Sequence, residues 1–597
     1  MSSEIPTILD SLVNRSGDHK IGVVGSPSNT IEIVIDILQS QEKNKILGQL
    51  VYLVIPQDDH YLAVIGQISQ IETKNRWHED QTFRGIIKRR ERLPHLTERA
   101  DVRTATISVQ AAFEFTEDNS EEIGEGVLAV SPSTGAVVFR IRDEILDSLL
   151  LKHKGEVVYL GRAYSTNVRM PFWLKHFGNS AGGAGEAYHI GVFGKTGSGK
   201  SGLAAYVLLG YARHKDMGIL FVDPQGQFTS AKDLPFDLHF RLKAVQRQVK
   251  TYSITKGVRL PNNATLLSKI LKKTDFYRWI GVRDGKNAEY AAEEVANKIK
   301  AVLKTEKAEL EIPPEDFLLK VLTALSDDGN ALDRIYVSKD PRTRLEKKLQ
   351  EFLLDNEKLS ELKQTWQPVL DMFMSKDSQG QERTSLNGII MQVTSDEISN
   401  KPIIFLDISG SGTSLGDDDE IKALLLREIV SALTWQGEAA FKKDKKLNCL
   451  VAIDEAHRFA SKVSQYDDDS DRASLSRNLV KGVRETRKYG LGYLFITQTI
   501  ASLDPDVLGQ LRIKFFGHGL NMGQELAKLK EEIGGDSKAL SLYTSFIDPA
   551  STTKKQFSFM VTGPASPLSF TGAPLFFQSF TDFEKEFLLA NKFFLGG

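Results

Sequence analysis

Residues 190–201 read Ile190-Gly191-Val192-Phe193-Gly194-Lys195-Thr196-Gly197-Ser198-Gly199-Lys200-Ser201. The pattern predicts a short buried strand, a glycine-rich turn and the first turn of a helix. Two glycines five residues apart, followed by lysine and serine, have the spacing of a phosphate-binding loop. Such glycines let backbone N–H groups point into one concavity, which binds anionic phosphate oxygens. This stretch therefore predicts a site for a nucleoside triphosphate.

The helix that follows the loop supports the same prediction. We expect it to run from Ser201 to about Arg213, so that the positive end of its dipole points at the phosphates. Lys200 is expected to reach the β- and γ-phosphates, and the Ser201 hydroxyl is expected to hold Mg²⁺. A chance glycine turn is the alternative, but a strand and a helix flank this loop in the required order. The residues expected to cradle the nucleotide are Gly194, Lys195, Thr196, Gly197, Ser198, Gly199, Lys200 and Ser201.

Composition indicates a folded protein of a reducing compartment. The 597 residues suffice for about three or four domains, and the hydrophobic share of 41% is ordinary for a globular protein. The single cysteine, Cys449, excludes an internal disulfide framework. There is no long apolar run and no signal-peptide pattern, so we expect a cytoplasmic protein without membrane contact. The net charge of −2 means that any nucleic-acid binding must be local, in a groove or a pore.

Hydrophobic periodicity divides the chain into five parts. Residues 1–165 contain short apolar runs with strand-like alternation, as in Ile31-Glu32-Ile33-Val34-Ile35, and predict a small β-barrel. From 236 to 388 the sequence becomes charged, with apolar residues at helical spacing, and predicts an inserted helical bundle. The expected domains are the barrel at 1–165, the first part of an α/β core at 166–235, the bundle at 236–388, the second part of the core at 389–562 and a C-terminal packing tail at 563–597. The phenylalanine-rich tail is expected to pack either over a neighbouring subunit or within its own core.

The core is predicted to be a mostly parallel sheet covered by helices. A strand, a helix and a second strand follow one another between Ile190 and Asp223, which is the βαβ unit of parallel sheets. Strands buried on both faces have continuous apolar runs. Such runs occur at 218–223, 401–407, 450–454 and 492–497. The predicted fold class is therefore α/β.

Two acids follow one of these predicted strands. Asp454 and Glu455 end an apolar run, at the carboxyl edge where doubly wound sheets have their sites. Asp454 suits the water shell of Mg²⁺, and Glu455 suits the polarisation of an attacking water. Helix capping by Asp454 is the alternative. The phosphate loop upstream and Gln498 at the end of the next strand favour the catalytic interpretation.

A basic helical face is predicted between the acids and Gln498. Four basic residues recur there at helical spacing and a fifth lies beside them: Arg477, Lys481, Arg484, Lys488 and Arg487. Such a face is usually only solvated. In an oligomeric ATPase, it is also where one subunit can insert an arginine into the γ-phosphate site of its neighbour.

Four segments together resemble the HerA family, which belongs with the FtsK-type hexameric DNA motors. They are His189–Ser201, Asp223–Gln227 (Asp-Pro-Gln-Gly-Gln), Asp454–His457 (Asp-Glu-Ala-His) and Arg487–Gly490 (Arg-Lys-Tyr-Gly). The layout is similar as well, because the family has a leading β-barrel, a RecA-like P-loop NTPase core split by a helical insertion, and a C-terminal tail. The resemblance implies a ring, usually of six subunits, that moves double-stranded DNA through its pore using ATP.

The resemblance also implies roles for individual residues at the nucleotide. Lys200 and Ser201 would bind ATP and Mg²⁺, and Asp454 would support the metal. Glu455 would activate the attacking water. Gln498 would sense the γ-phosphate.

The resemblance also implies that an arginine of one subunit acts at the nucleotide of its neighbour. Arg487 would reach the nucleotide of the adjacent subunit, with Arg484 as its substitute. Two positions depart from the family pattern. Relatives often have arginine immediately before the histidine that opens the phosphate-loop strand, where this chain has Tyr188, and many have glutamate at the position of Gln227. The first departure argues against an arginine contact to the nucleotide from within the same subunit.

HerA-like ATPases commonly act with a separate effector protein. The resemblance implies a nuclease or a sirtuin-like NADase that docks on the N-terminal barrel, in DNA end processing or in anti-phage defence. A second hypothesis is an assembly scaffold that organises and activates the effector, with hydrolysis as a regulatory step. A nucleotide switch is disfavoured, because the sequence lacks the Asn-Lys-x-Asp motif that reads guanine.

Three stretches are candidates for DNA contact. Loops 409–416 and 460–471 could face a pore, although the second is acidic at its tip, which argues against phosphate contact there. Lys462 and Arg472 flank that tip. The run Lys88-Arg89-Arg90-Glu91-Arg92 could touch phosphate, but a solvated loop is the favoured interpretation.

Overall fold

Two β-sheets and a group of helices between successive strands organise the chain. The computed structural model describes residue 12 and residues 19–91, 93–116, 123–180, 182–274, 276–283, 285–410, 418–462 and 471–592. Among these residues, no helix combines the length and the apolarity needed to cross a lipid bilayer.

The first sheet closes into a barrel. Its strands are β1 (Lys20–Val24), β2 (Glu32–Ile37), β3 (Leu50–Gln57), β4 (His60–Asn75), β5 (Asp101–Phe115), β6 (Gly124–Gly126) and β7 (Val137–Arg140). Their order is β2-β1-β7-β3-β4-β5, and β2 also pairs with β5, so six strands form a ring. Alternation along β2 buries Ile33 and Ile35 inside this ring and leaves Asp36 exposed. The barrel predicted for the N-terminal part of the chain is therefore confirmed.

A helical segment joins the ends of β4 and β5. It consists of α1 (Arg76–Glu79) and α2 (Gln81–Arg90). Lys88, Arg89 and Arg90 form the exposed last turn of α2, not the loop that their charge had suggested. Cations in this position stabilise the negative end of the helix dipole. Arg92 lies outside the described residues.

The second sheet has eleven strands and contains the phosphate-loop strand. The strands after the barrel are β8 (Val157–Ala163), β9 (Arg169–Trp173), β10 (His189–Phe193), β11 (Gly218–Asp223), β12 (Val249–Ser253), β13 (Val258–Arg259), β14 (Thr384–Ser385), β15 (Ile403–Asp407), β16 (Cys449–Ile453), β17 (Leu491–Thr497), β18 (Leu511–Gly517), β19 (Phe557–Thr562) and β20 (Leu575–Ser579). Strands β13 and β14 pair only with each other. The order in the large sheet is β12-β15-β11-β16-β17-β10-β18-β19-β20-β8-β9.

This sheet is mixed. The seven strands from β12 to β18 in that order are parallel. Five of them were predicted from apolar runs, namely β10, β11, β15, β16 and β17. The four strands from β19 to β9 are antiparallel. The short turn between the end of β8 at Ala163 and the start of β9 at Arg169 leaves no room for the crossover that a parallel pair requires.

Helices connect and cover these strands. They are α3 (Asp143–Leu149), α4 (Lys200–Ala212), α5 (Leu238–Ala244), α6 (Ala264–Lys273), α7 (Phe276–Trp279), α8 (Lys286–Thr305), α9 (Phe317–Ser326), α10 (Gly329–Ile335), α11 (Lys339–Leu354), α12 (Asn356–Asp371), α13 (Leu386–Thr394), α14 (Asp419–Phe441), α15 (Asp471–Glu485), α16 (Pro505–Gln510), α17 (Gly523–Glu532) and α18 (Ser537–Thr544). Helices α6 to α13 lie between strands β12 and β15 in the chain. Their apolar faces bury Leu345, Leu349 and Trp366.

Three strands lie in the large sheet although the periodicity assigned their residues elsewhere. Strand β8 falls within 1–165, but it pairs with β20, where Ala163 is opposite Phe577. Strand β12 falls within 236–388, yet it is the edge strand beside β15. Strand β20 comes from the tail, whose Phe576 and Phe577 are buried in their own subunit. Three segments that are distant in the sequence thus complete the large sheet.

Candidate nucleotide-binding site

The phosphate loop lies at the carboxyl edge of the large sheet. Strand β10 ends at Phe193, helix α4 begins at Lys200, and the six residues between them form the loop. Gly194, Gly197 and Gly199 have φ angles of 150°, 83° and 89°. A side chain would strain each of these conformations, so the loop requires glycine there.

Two of these glycines also permit close approach by distant segments. A Cβ on Gly194 would lie 2.6 Å from the Ser198 Oγ and 3.2 Å from the Cα of Gly517. A Cβ on Gly199 would lie 2.6 Å from the ring of Phe557. The ends of β18 and β19 therefore form the wall behind the loop, and no local sequence signal marks Gly517 or Phe557 for this role.

Lys200 is held inside the loop. Its side chain is largely buried, since the residue is only 8% exposed, and Nζ donates a hydrogen bond to the carbonyl of Lys195 at 3.0 Å. Burial lowers the pKa of Lys200, and the nearby carboxylates of Glu455 and Asp454 oppose that shift. A buried ammonium that donates to a neutral carbonyl, with donors to spare, is well suited to bind an anionic phosphate oxygen.

Ser198 and Ser201 add hydroxyl groups to the same loop. The Ser198 Oγ is buried without a hydrogen-bond partner among the described residues, as expected for a group that meets a ligand. The Ser201 Oγ donates to the Oε1 of Gln227 at 3.3 Å. Gln227 therefore occupies the place beside the predicted metal-binding hydroxyl.

Asp454 lies after β16 and is nearly inaccessible. It is 4% exposed, and burial, followed by the charges of Glu455 and Asp223, raises its pKa to about 7. A hydroxyl, an amide oxygen and a carboxylate are oxygen ligands of the kind that Mg²⁺ prefers, and this ion usually has few protein ligands besides water and phosphate. Ser201, Gln227 and Asp454 thus fit a magnesium site.

Glu455 and Gln498 are joined by a chain of hydrogen bonds. The Gln498 Oε1 accepts from the Thr196 Oγ1 at 3.0 Å, and its Nε2 donates to the Glu455 Oε1 at 2.9 Å. The other carboxylate oxygen of Glu455 lies 3.2 Å from the Nδ1 of His457. Burial lowers the pKa of His457, which favours its neutral form. One amide therefore connects the phosphate loop to the predicted catalytic acid.

Strand order explains this arrangement. Strand β17 lies between β10 and β16, with Thr497 level with Phe193 and Phe495 level with Ile453. All three strands are parallel, so the residues that follow them meet at one edge. Sequence reasoning placed Asp454, Glu455 and Gln498 at this edge, but it did not find His457 as the neighbour of Glu455.

Asp223 has a structural part in the same region. Its carboxylate accepts hydrogen bonds from the backbone N–H groups of Gly226 and Thr229 at 2.8 and 2.7 Å. These bonds fold the turn that carries Gln227 to Ser201. Burial raises the pKa of Asp223.

The two candidate arginines lie at the opposite edge of the sheet. Arg487 precedes β17, whose length separates it from Gln498 by about 20 Å. Its Nη2 donates to the Glu186 Oε1 at 2.6 Å, and Arg484 forms an ion pair with Asp506 at 3.0 Å. Neither arginine can therefore reach the phosphate loop of its own subunit.

Tyr188 stands where relatives often have arginine, and the structure accounts for it by packing. Its hydroxyl donates to the Lys175 carbonyl at 3.1 Å and accepts from the Tyr211 hydroxyl at 2.9 Å. The ring packs on Phe177. Residues 411–416 and 463–470 of the two candidate pore loops lie outside the described residues, as does the side chain of Arg472, whereas Lys462 is exposed.

We predict that Asp454→Asn stabilises the unliganded protein as the pH rises. The folded-state pKa of about 7 exceeds the ordinary value of 3.8. Between these values the unfolded chain has lost the proton while the folded carboxyl keeps it, so the wild type loses stability as the pH rises. Asparagine does not titrate and removes that loss. Between pH 5 and pH 6 the free energy of unfolding of the wild type should fall relative to the variant by about 1.4 kcal/mol, and the fall per pH unit should lessen toward pH 7. Thermal or urea unfolding across this range measures the difference.

Asp59→Asn, at an exposed aspartate in the turn between β3 and β4, is the control. A difference between wild type and Asp454→Asn that does not change from pH 5 to pH 7 would contradict the assignment of a buried, protonatable carboxyl.

The central part of the chain is similar to a known protein family. The family model described as the central domain of helicase HerA matches residues 187–429. The chain is 25% identical over 391 residues to the DNA double-strand break repair helicase HerA of Sulfolobus acidocaldarius. That match covers 64% of this chain and 63% of the relative, so the chain spans less than two thirds of the relative's length.

Solved structures with a similar course of the chain include VirB4 of Thermoanaerobacter pseudethanolicus, with 12% identity, 72% of this chain and 97% of that chain covered, and a TM-score of 0.37. The bacterial conjugative coupling protein TrwB has 12% identity, coverage of 74% and 92%, and a TM-score of 0.34. With TM-scores below 0.5, these likenesses carry no argument about function. The matched family model and the curated relative, together with the phosphate loop, identify the chain as a P-loop ATPase whose central part is similar to helicase HerA.

Proposed function

We propose that the chain is the subunit of an ATP-driven hexameric ring that moves double-stranded DNA through its pore. The observation that carries this proposal is the hydrogen-bonded connection from Thr196 through Gln498 to Glu455. This connection supports hydrolysis, because a site that only bound nucleotide would not require a carboxylate linked through Gln498 to the phosphate loop. The parallel strands from β12 to β18 are proposed to be a RecA-like core.

The proposed chemistry is the attack of water on the γ-phosphate. Glu455 would orient this water and accept its proton, with one carboxylate oxygen held by the hydrogen bond from Gln498 and the other lying beside His457. Lys200 and the backbone of the loop would neutralise phosphate charge. When bound, Mg²⁺ would neutralise charge on the phosphates, held by Ser201 and Asp454.

Gln498 is proposed to report the state of the site. A γ-phosphate next to Thr196 would compete for the hydroxyl that now donates to Gln498. Strand β17 then offers a rigid connection, because Gln498 follows its last residue and Arg487 precedes its first. Hydrolysis in one subunit would thus change the position of Arg487, which acts on the nucleotide of the adjacent subunit.

The proposal that this chain moves DNA is supported by its similarity to helicases. The curated relative is named as a repair helicase, and the matched family model carries the helicase description. We further propose that a nuclease or a sirtuin-like NADase docks on the barrel, in DNA end processing or anti-phage defence. The alternative function is an assembly scaffold for that effector.

The direct test is ATP hydrolysis with and without long duplex DNA, together with native mass. We expect a hexameric mass and a DNA-stimulated rate. Glu455→Gln should retain ATP binding and lose about 10²–10⁴-fold in turnover, because it removes the general base. Lys200→Ala should lose nucleotide binding as well.

A monomer whose hydrolysis ignores DNA would contradict the motor. Unchanged effector output with Lys200→Ala in the partner complex would favour the scaffold instead.

We predict that Arg487→Ala abolishes turnover and spares nucleotide binding and assembly. Loss of an arginine that acts from the neighbouring subunit costs about 10³–10⁵ in turnover, or roughly 4–7 kcal/mol. Arg512→Ala is the matched control, since Arg512 pairs with the same carboxylate of Glu186.

Rings of mixed subunits show whether Arg487 acts on the nucleotide of its own subunit or on that of the adjacent subunit. Rings mixed from Arg487→Ala and Lys200→Ala subunits contain interfaces with an intact loop and an intact arginine, so activity should partly return. Activity that stays absent after mixing would contradict the shared site. Near-normal turnover of Arg487→Ala alone would move the role to Arg484.

A further inference from the structure

A cavity lies beside the first turns of the phosphate-loop helix. Its volume is about 400 Å³, within the range of pockets that hold small ligands. Its walls come from the start of α5 and from the segment after β20, and include Phe236, Phe240, Arg241, Asp582 and Phe583. The HerA resemblance, the phosphate loop and the catalytic acids assign no role to this cavity.

One face of helix α4 connects the cavity to the phosphate loop. Gly202 and Tyr206 are four residues apart and therefore lie on the same face, one turn from each other. Pro235, which lines the cavity, lies 3.6 Å from the place of a Cβ on Gly202. The ring of Phe236 packs on Tyr206 with 5.1 Å between centroids. The cavity thus opens next to the residue that follows Ser201.

The lining is aromatic and carries charge at its edge. Phe236 and Phe583 contact each other with 4.4 Å between centroids, and the guanidinium of Arg241 lies 4.6 Å from the centroid of Phe583 and 5.3 Å from that of Phe240. Arg241 is fixed by an ion pair with Glu584. Aromatic faces and a guanidinium plane bind the flat ring of a nucleobase by stacking.

Polar groups in the cavity match the edge of such a ring. The carboxylates of Asp237 and Asp582 also line it. Each has one oxygen in a helix-capping bond, to the backbone N–H of Phe240 and of Lys585 respectively, at 2.9 Å. Carboxylate oxygens accept hydrogen bonds from the N–H groups of a purine.

Phe240 lines the cavity and leaves much of its ring accessible, since the residue is 59% exposed. On α5, the buried residues are Leu238 and Leu242. An aromatic ring left open beside a cavity suits a ligand that covers it.

From these observations we infer that the cavity receives the purine base and ribose of the nucleotide whose phosphates lie in the loop. This inference rests on the proposed function, because it requires a nucleoside triphosphate at Lys200. The base of such a nucleotide lies one ribose beyond the α-phosphate, and Pro235, which lines the cavity, lies beside Gly202, two residues after Lys200. Phe240 and Arg241 cover the base, and Asp237 or Asp582 accepts its N–H groups.

The test compares two ligands that share phosphates and differ in the base. Isothermal titration calorimetry with Mg²⁺ measures the Kd of ATP and of inorganic tripolyphosphate for wild type, Phe240→Ala and Phe240→Trp. We expect Phe240→Ala to raise the Kd of ATP about 10-fold by loss of stacking and to leave that of tripolyphosphate unchanged. Phe240→Trp retains an aromatic face and should keep wild-type affinity for ATP.

Phe441→Ala, at a half-exposed phenylalanine on α14, is the matched control and should change neither Kd. An unchanged Kd of ATP in Phe240→Ala, or equal weakening of both ligands, would overturn the base pocket. A change in native mass without a change in ATP affinity would assign the face to subunit contact and would overturn it too. A wild type that binds neither ligand would contradict the proposed function itself.

Discussion

The amide of Gln498 joins the phosphate loop to Glu455, and the geometry of the site depends on that bridge. An amide can accept at one end and donate at the other, so it can face both a hydroxyl and a carboxylate. The bridge exists because β17 lies between β10 and β16, which brings its carboxyl end between theirs. Glu455, at a φ of 49°, is held in a left-handed conformation directly after β16. Such a conformation at a residue other than glycine persists only where the surrounding structure fixes it.

Charge and burial are in balance around this bridge. Lys200 and Asp454 are both buried. Burial lowers the pKa of Lys200 and raises that of Asp454, so it favours the neutral form of each group. Polyanionic phosphate and a divalent cation would restore the charged form of both groups. On the proposed function, binding of the Mg²⁺–nucleotide complex would thus offset the cost of burying these two charges. The same sheet carries Arg487 at its other edge, where Glu186 fixes it, so a nucleotide-dependent change at one edge has a short structural route to the other.

The sequence was sufficient for the parts of the site whose signal is local. Glycine spacing predicts the loop, and apolar runs that end in Asp454, Glu455 or Gln498 predict residues at one edge of a parallel sheet. The contacts made by distant segments could not be predicted. Phe557 packs on Gly199 from more than three hundred positions away, and nothing in its neighbourhood differs from an ordinary strand. Likewise β8, β12 and β20 join the large sheet through pairing partners that periodicity does not reveal, and the choice of Glu186 for Arg487 depends on tertiary packing alone.

A double-mutant cycle on ATP turnover tests the bridge most directly. Turnover is measured for wild type, Glu455→Gln, Gln498→Ala and the double variant, with ATP binding measured alongside. Residues that act as one unit have non-additive effects, so the double variant should be no slower than Glu455→Gln alone. Losses that multiply in the double variant, with ATP binding intact, would show that Gln498 and Glu455 act independently and would contradict the bridge.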